Sequence, residues 1–299
     1  MADGRRMLGF PLLPPRVPGI ARVGRVPTGR TVELPGRGRT YMVDSGPVLG
    51  APTFLLLHSL ACTGLMTWYP TLAMMRQFGR VVTFDQRGHG QGIRSSRFLL
   101  EDCADDAAAL ADVLGVQTFV PVGYSMGSLV AQLVWRRHPQ RVDGLVLCAA
   151  TAAYNRASYE RLATGVFGAL IEAVSPQPGL PATPGATEEF ITNDSHWLLS
   201  QLRSTSVGAI SQAIAELMRF DSTPWVAEID VPTSVLITMR DRAFGIQRQL
   251  WLATHIPDAH IVTVEAGHAG CTLQPSKFVP GLHDAVDSVH RRIISKKAS

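Results

Sequence analysis

The sequence is poor in lysine, in aromatic residues and in long apolar runs. Only 3 of the 28 basic residues are lysines, and aromatic residues make up 7% of the 299 residues. No apolar run reaches the roughly 20 residues that a membrane-spanning helix needs. Hydrophobic residues still reach 46% and charged residues 17%, so the chain can bury a core and is not globally disordered. We therefore expect a soluble, cytoplasmic protein without a transmembrane segment.

Cysteine is also scarce, and its spacing excludes common metal and disulfide frameworks. Four cysteines occur, at positions 62, 103, 148 and 271, and none forms a C-x-x-C pair or a zinc-finger pattern with histidine. Neither an H-E-x-x-H motif nor a dinucleotide-binding G-x-G-x-x-G turn is present. These absences predict a reduced protein that needs no metal and no cofactor.

The excess of positive charge is confined to one end of the chain. Residues 1–30 hold six arginines and one aspartate, whereas the remainder carries 22 basic and 23 acidic residues. A nucleic-acid groove needs clustered Lys and Arg, so the nearly neutral body is not expected to bind nucleic acid. We predict that residues 1–30 form a flexible, basic, proline-rich arm. Nothing in the sequence indicates an oligomeric state.

The rest of the chain alternates short apolar runs with segments of helical period. Helices are predicted over 101–114, 126–137 and 277–294. This alternation is typical of an α/β protein with a mostly parallel central sheet flanked by helices. The apolar runs predict buried strands at residues 53–57, 80–84, 118–122, 144–148, 234–238 and 260–264.

One segment, residues 152–226, interrupts this rhythm. It contains no convincing strand, and four prolines lie between residues 176 and 184. Residues 155–174 and 187–219 have helical character. We expect a helical cap inserted into an α/β core that comprises residues 31–151 and 227–299.

The strongest chemical signal is the sequence Gly123-Tyr124-Ser125-Met126-Gly127, between a predicted strand and a predicted helix. A serine held in a sharp strand-to-helix turn crowds its neighbours, so glycine is needed two residues before and two after it. Its hydroxyl then projects above the sheet, and the next backbone N–H can face a developing oxyanion. This context predicts a nucleophilic serine rather than an inert glycine-rich turn.

A nucleophilic serine needs a base and an acid that orients it. His268 follows the last predicted strand and Asp241 follows the strand before it, which places both at the same sheet edge as Ser125. Two other aspartates are weaker candidates, because Asp258 precedes its strand and Asp221 lies outside the core loops.

Together these motifs resemble the α/β-hydrolases of the esterase, lactonase and cofactor-free haloperoxidase group. The resemblance spans about residues 38–294 and includes Leu57-His58-Ser59-Leu60 and Asp85-Gln86-Arg87-Gly88-His89-Gly90. It implies the α/β-hydrolase fold and a cofactor-free serine hydrolase. Ser125 would be the nucleophile, Asp241 the acid and His268 the base. The backbone N–H groups of Leu60 and Met126 would form the oxyanion hole.

Two residues depart from the family pattern, since Ser59 and Thr238 stand where glycine is usual. We expect hydrolysis of small-molecule esters with small to medium apolar acyl groups, because the apolar residues of the predicted cap would form an apolar pocket over the triad. A lactonase, a carbon–carbon hydrolase, a perhydrolase and a non-catalytic binding protein are the alternatives. His58 is expected chiefly to hold the oxyanion loop. The residues expected to line the substrate site are His58, Ser59, Tyr124, Trp197, Met218 and Trp225.

Overall fold

The computed structural model describes residues 23–154, 188–191 and 194–298. Ten strands lie in these residues, eight of them in a central sheet. Their bounds are β1 Gly24–Pro27, β2 Arg30–Leu34, β3 Gly38–Asp44, β4 Thr53–Leu57, β5 Arg80–Phe84, β6 Val120–Tyr124, β7 Leu145–Cys148, β8 Glu188–Ile191, β9 Thr233–Thr238 and β10 His260–Val264.

The central sheet runs in the order β10-β9-β7-β6-β4-β5-β3-β2. Pairing is parallel from β10 through β5, whereas β3 pairs antiparallel with both β5 and β2. The residues of β6, β7 and β9 are all buried, as expected for parallel strands covered on both faces. The predicted α/β architecture with a mostly parallel sheet is confirmed.

Helices cover the two faces of the sheet. The two largest core clusters lie on opposite faces, and α4 with α3 and α9 pack over them. The helices are α1 Gly64–Trp68, α2 Leu72–Met75, α3 Leu100–Val113, α4 Met126–Arg137, α5 Asp194–Arg203, α6 Val207–Arg219, α7 Ile246–His255, α8 Gly270–Leu273 and α9 Pro275–Ala298.

Two elements of the sheet differ from the sequence-based expectation. The third predicted strand, 118–122, lies two residues later as β6. The hairpin of β2 and β3 was not among the predicted strands, because exposed and buried residues mix along β2 and dilute its apolar signal.

The predicted cap contains a strand, which corrects the expectation that residues 152–226 hold none. β8 pairs antiparallel with β1 in a separate two-stranded sheet. Its four residues have no apolar run of their own and become a strand through this pairing with a distant segment. Helices α5 and α6 lie within the predicted helical range 187–219. The predicted helix at 155–174 lies outside the described residues.

The predicted arm boundary at residue 30 is also wrong. β1 begins at residue 24, and Val23 and Val26 are buried in an apolar cluster with Trp197 and Leu198 of α5. The backbone N–H of Val23 donates to Asp194 Oδ1, at 3.1 Å. Residues 23–30 are therefore part of the folded protein and join the cap segment to the core.

Among the described helices, none is both long and apolar enough to cross a membrane.

Substitution of Val26 by alanine tests the role of β1. Val26 is 3% exposed, so Val26→Ala should lower the free energy of unfolding by about 2 kcal/mol in urea denaturation. Val113→Ala is the matched control, since Val113 is 40% exposed at the end of α3. Equal effects of the two substitutions would show that β1 adds nothing to stability.

Candidate active site

Ser125 occupies a strained turn between β6 and α4. Its backbone adopts φ 54° and ψ −117°, in the left-handed half of the map that non-glycine residues rarely enter. The Ser125 N–H donates to the carbonyl of Cys148 on the neighbouring strand, at 3.0 Å. The turn is thus held by the sheet, and the side chain projects from its carboxyl edge.

The two flanking glycines allow this turn because their neighbours leave no room for a Cβ. A Cβ on Gly123 would lie 2.3 Å from the carbonyl oxygen of Gly127. A Cβ on Gly127 would lie 2.1 Å from the carbonyl oxygen of Leu57, at the end of β4. The first turn of α4 therefore packs directly against the backbone of β4 and β6.

Three loops at this sheet edge bring Ser125, His268 and Asp241 together. The Ser125 Oγ lies 2.8 Å from His268 Nε2. On the other side of the ring, His268 Nδ1 lies 2.8 Å from Asp241 Oδ2. Because the carboxylate accepts at Nδ1, Nδ1 carries the proton and Nε2 is free to accept one from the serine hydroxyl. The arrangement can activate a nucleophile.

Asp241 is held at both carboxylate oxygens. Oδ1 accepts from the backbone N–H groups of Ala243 and Phe244, at 2.8 and 3.0 Å. Oδ2 also accepts from the Thr238 hydroxyl at 2.9 Å and from Gln249 Nε2 at 3.0 Å. Burial opposes ionisation of Asp241, but nearby His268 and these hydrogen bonds outweigh it and lower the pKa of the carboxyl group. Asp241 is therefore ionised at neutral pH.

His58 fixes the loop that follows β4. Its Nε2 accepts from the N–H of Gln86 and its Nδ1 donates to the carbonyl of Ser59, both at 2.8 Å. Burial, with a contribution from neighbouring His89, lowers the pKa of His58 to about 3, so the ring is neutral. Because His58 is fully buried and both nitrogens are engaged, its expected place in the substrate site is wrong.

A buried ion pair holds the turn after β5 against α3. Arg87 donates to both carboxylate oxygens of Asp106, at 2.9 Å each, and Arg37 contacts the same carboxylate. Gln86, in the same turn, donates to the carbonyl of His58 at 2.8 Å. The turn after β5 and the loop after β4 are thus held in place by these side-chain hydrogen bonds.

The predicted oxyanion groups come from two segments that touch. Leu60 lies in the loop after β4, and Met126 begins α4, whose first N–H groups have no partner within the helix. The contact between Gly127 and Leu57 places these segments side by side. Ser59, also in this loop, is 9% exposed, and its carbonyl accepts from the N–H of Cys62.

Tyr124 supports the histidine loop. Its hydroxyl donates to the carbonyl of His268, and its ring packs against Phe278 with centroids 5.3 Å apart. The side chain is 3% exposed. Tyr124 thus supports the loop that carries His268. Its expected contact with substrate is wrong, because the side chain is buried.

The cap residues that were expected to contact substrate are dispersed. Trp197 is buried beside Tyr69, with ring centroids 5.5 Å apart, in the cluster that joins α5 to β1. Met218 is half-buried on α6. Trp225 stacks on Trp135 near the last turn of α4, at the opposite end of that helix from Ser125. The expected substrate contact of Trp225 is therefore wrong.

The other candidate acids lie away from this constellation. Asp221 is exposed, and its carboxylate accepts from the N–H of Thr223 in its own turn. Asp258 is exposed in the turn before β10, at the opposite sheet edge.

Two aromatic residues and one glutamine lie near the site and were not predicted from the sequence. Phe244 packs edge-on against His268, with centroids 4.5 Å apart, and Tyr154 packs against Phe244 at 5.1 Å. Gln249 was detectable in principle, because it falls on the buried face of α7 with Leu252 and Ala253. A polar residue on an apolar helix face needs a partner.

No cluster of three or more metal-ligating side chains occurs among the residues that the structure describes.

Comparison with known proteins identifies the family of the chain. The family model described as alpha/beta hydrolase fold matches residues 52–275, which is most of the chain. The chain belongs to the alpha/beta hydrolase family.

Relatives within the alpha/beta hydrolase family are named for several hydrolytic reactions. The 3-oxoadipate enol-lactonase 1 of Acinetobacter baylyi is 24% identical over 85% of this chain and 95% of its own length. A protein of Agrobacterium fabrum named for carbamate hydrolysis is 28% identical over 76% of this chain and 90% of its own. The enol-lactonase of Burkholderia xenovorans aligns with TM-score 0.66 and 24% identity, over 86% of this chain and all of its own. This alpha/beta hydrolase is an enzyme of the hydrolase class.

Substitution of Gly127 tests the packing of the serine turn. Gly127→Ala should disrupt the contact between α4 and β4, abolish activity and lower stability by more than 2 kcal/mol, because the clashing atom is backbone and cannot move aside. Gly208→Ala is the control, since a Cβ there meets nothing within 4 Å. Both variants would be compared with wild type by thermal unfolding and by ester hydrolysis. Normal activity of Gly127→Ala would contradict the close packing of α4 against β4.

Proposed function

We propose that this protein hydrolyses carboxylic esters of small to medium apolar acyl groups through an acyl-serine intermediate. The observation that supports this most is the hydrogen-bonded series from Ser125 Oγ through His268 to Asp241, with both distances at 2.8 Å. Serine is a weak nucleophile unless a base takes its proton, and this arrangement supplies the base and its orienting acid.

In the proposed reaction, His268 Nε2 removes the hydroxyl proton as Ser125 Oγ attacks the ester carbonyl. The ionised Asp241 stabilises the imidazolium that forms. His268 then donates the proton to the departing alcohol, which leaves an acyl group on Ser125. In the second half, His268 removes a proton from water, the hydroxide attacks the acyl group, and the acid is released with Ser125 regenerated.

The tetrahedral intermediates need donors for the negative oxygen. We assign these to the backbone N–H groups of Met126 and Leu60, supported by the contact of the first turn of α4 with the end of β4. Each such donor contributes about 3–4 kcal/mol to transition-state stabilisation in comparable enzymes. Neither requires a metal or a cofactor.

The surroundings of His268 favour an uncharged substrate. Phe244 and Tyr154 form an aromatic wall beside the imidazole, and such walls suit apolar acyl groups. Lactone hydrolysis is the second candidate, because relatives named enol-lactonases match this chain over nearly their full lengths. Both reactions use the same nucleophile and oxyanion donors.

Covalent labelling tests the assignment of the nucleophile. A fluorophosphonate probe should label wild-type protein on the peptide that contains Ser125 and leave Ser125→Ala unlabelled and inactive. Asp241→Asn should reduce kcat by up to about 10⁴, because the histidine loses its orienting carboxylate. Asp258→Asn is the matched control and should change kcat little. Retention of full turnover by Ser125→Ala with unchanged melting would refute the assignment.

A substrate panel separates esters from lactones. For p-nitrophenyl esters, kcat/KM should rise from acetate to medium chains, since each buried methylene contributes up to about 0.8 kcal/mol, and fall for palmitate. The same kcat/KM measurements would be made on lactones with the same numbers of carbon atoms. A flat profile across chain length would argue against an apolar acyl site, and kcat/KM values higher for lactones than for every ester would favour the lactonase.

A further inference from the structure

Two buried side chains contact the same oxygen of Asp241 that binds the histidine. Thr238, the last residue of β9, donates its hydroxyl to Asp241 Oδ2 at 2.9 Å. Gln249, on α7, donates from Nε2 to this oxygen at 3.0 Å. Oδ2 therefore accepts from three side chains, the third being His268.

The orientation of the Gln249 amide is fixed by its other contacts. Its Oε1 lies 3.0 Å from the backbone N of Thr238, which can only donate, so the oxygen must be on that side. Nε2 consequently faces Asp241, and its two protons point to Asp241 Oδ2 and Thr238 Oγ1, at 3.0 and 3.1 Å. The Thr238 hydroxyl accepts this bond and gives its own proton to Oδ2. The Thr238 hydroxyl and both protons of Gln249 Nε2 are therefore engaged in hydrogen bonds.

Neither residue can reach a substrate. Thr238 and Gln249 are both fully buried. With the backbone N–H groups of Ala243 and Phe244 holding Oδ1, the carboxylate is restrained at both oxygens. Without the two side chains, Oδ2 would keep only the histidine, and only the two N–H groups at Oδ1 would oppose rotation of the carboxylate about its Cβ–Cγ bond.

A purely structural role is the competing explanation. β7 ends at Cys148, which pairs with Leu236, so the Thr238 N–H lies beyond its neighbouring strand and is satisfied by Gln249 instead. That role uses only Oε1. It does not require the amide nitrogen or the threonine hydroxyl to converge on Oδ2, and a glycine at 238 would serve it equally.

We propose that Thr238 and Gln249 are positioning residues for the reaction, which hold the Asp241 carboxylate in the orientation that aligns His268 with Ser125. This inference rests on the proposed function, since it assumes that Asp241 orients the catalytic base. It extends that function to two residues outside the triad and gives a chemical role to the threonine that replaces the usual glycine.

Kinetics of four variants test the proposal. Thr238→Val should lower kcat about tenfold and Gln249→Met about 10- to 100-fold, with KM nearly unchanged, because each loses a hydrogen bond to a charged group without touching the substrate. Thr238→Ser keeps the hydroxyl and should restore kcat to within about threefold of wild type. Gln132→Met is the matched control. Gln132 is a fully buried glutamine whose partners are Ser128, Thr151 and Ser222, so its kcat should stay within about twofold.

A spectroscopic readout separates positioning from general loss of structure. The proton between His268 Nδ1 and Asp241 Oδ2 should give a far-downfield ¹H resonance in wild type and in Gln132→Met. It should shift or broaden in Thr238→Val and Gln249→Met. If Gln249→Met does not fold, the kinetics and resonance of the near-isosteric Thr238→Val variant test the positioning role by themselves.

The outcomes also distinguish this inference from the proposed function. Normal kcat and an unchanged resonance in Thr238→Val and Gln249→Met, with wild-type Ser125 labelled by the fluorophosphonate, would overturn the positioning role and leave the proposed function standing. A lowered kcat with an unchanged resonance would likewise overturn it. Absence of labelling at Ser125 would instead refute the function on which the inference depends.

Discussion

The close approach of α4 to the ends of β4 and β6 is the constraint on which the candidate active site depends. Gly123 and Gly127 allow it, because either Cβ would lie within 2.3 Å of a backbone oxygen. This packing forces Ser125 into a φ of 54° and turns its hydroxyl away from the sheet. It also sets the first N–H groups of α4 beside the loop that carries Leu60. Strain of this kind, about 1–3 kcal/mol per residue, persists only where the surroundings determine the backbone.

From that turn, a series of hydrogen bonds extends across the carboxyl edge of the sheet. It passes from Ser125 through His268 to Asp241 and ends at Gln249 on α7, so it connects α7 to the turn at which α4 begins. A low dielectric makes such buried networks sensitive to the loss of any member. β1 pairs with β8, and this pairing joins residues 23–30 to the 152–226 segment.

The parts of the molecule that can be predicted from the sequence are those that depend on neighbouring residues in the chain. The continuous apolar runs of the parallel strands and the glycine-flanked Ser125 follow from short-range sterics and burial, and the strand order then places three loops at one edge. The features that could not be predicted depend on contacts between residues far apart in the sequence. β8 is a strand only because it pairs with β1, and Trp225 lies in the cap segment by sequence but stacks on Trp135 at the other end of α4. Gln249 could be recognised from the sequence as a polar residue on a buried helix face. Its hydrogen-bond partner could not be identified without the fold.

Rapid acid quenching tests directly whether Ser125 carries the acyl group during turnover, as we propose. The protein would be mixed with excess p-nitrophenyl butyrate, quenched within milliseconds and analysed by peptide mass spectrometry. One butyryl group is expected on the peptide that contains Ser125, formed with the first turnover and lost as hydrolysis proceeds. A butyryl group on another residue, or a full turnover with no acylated peptide at any quench time, would contradict the proposal.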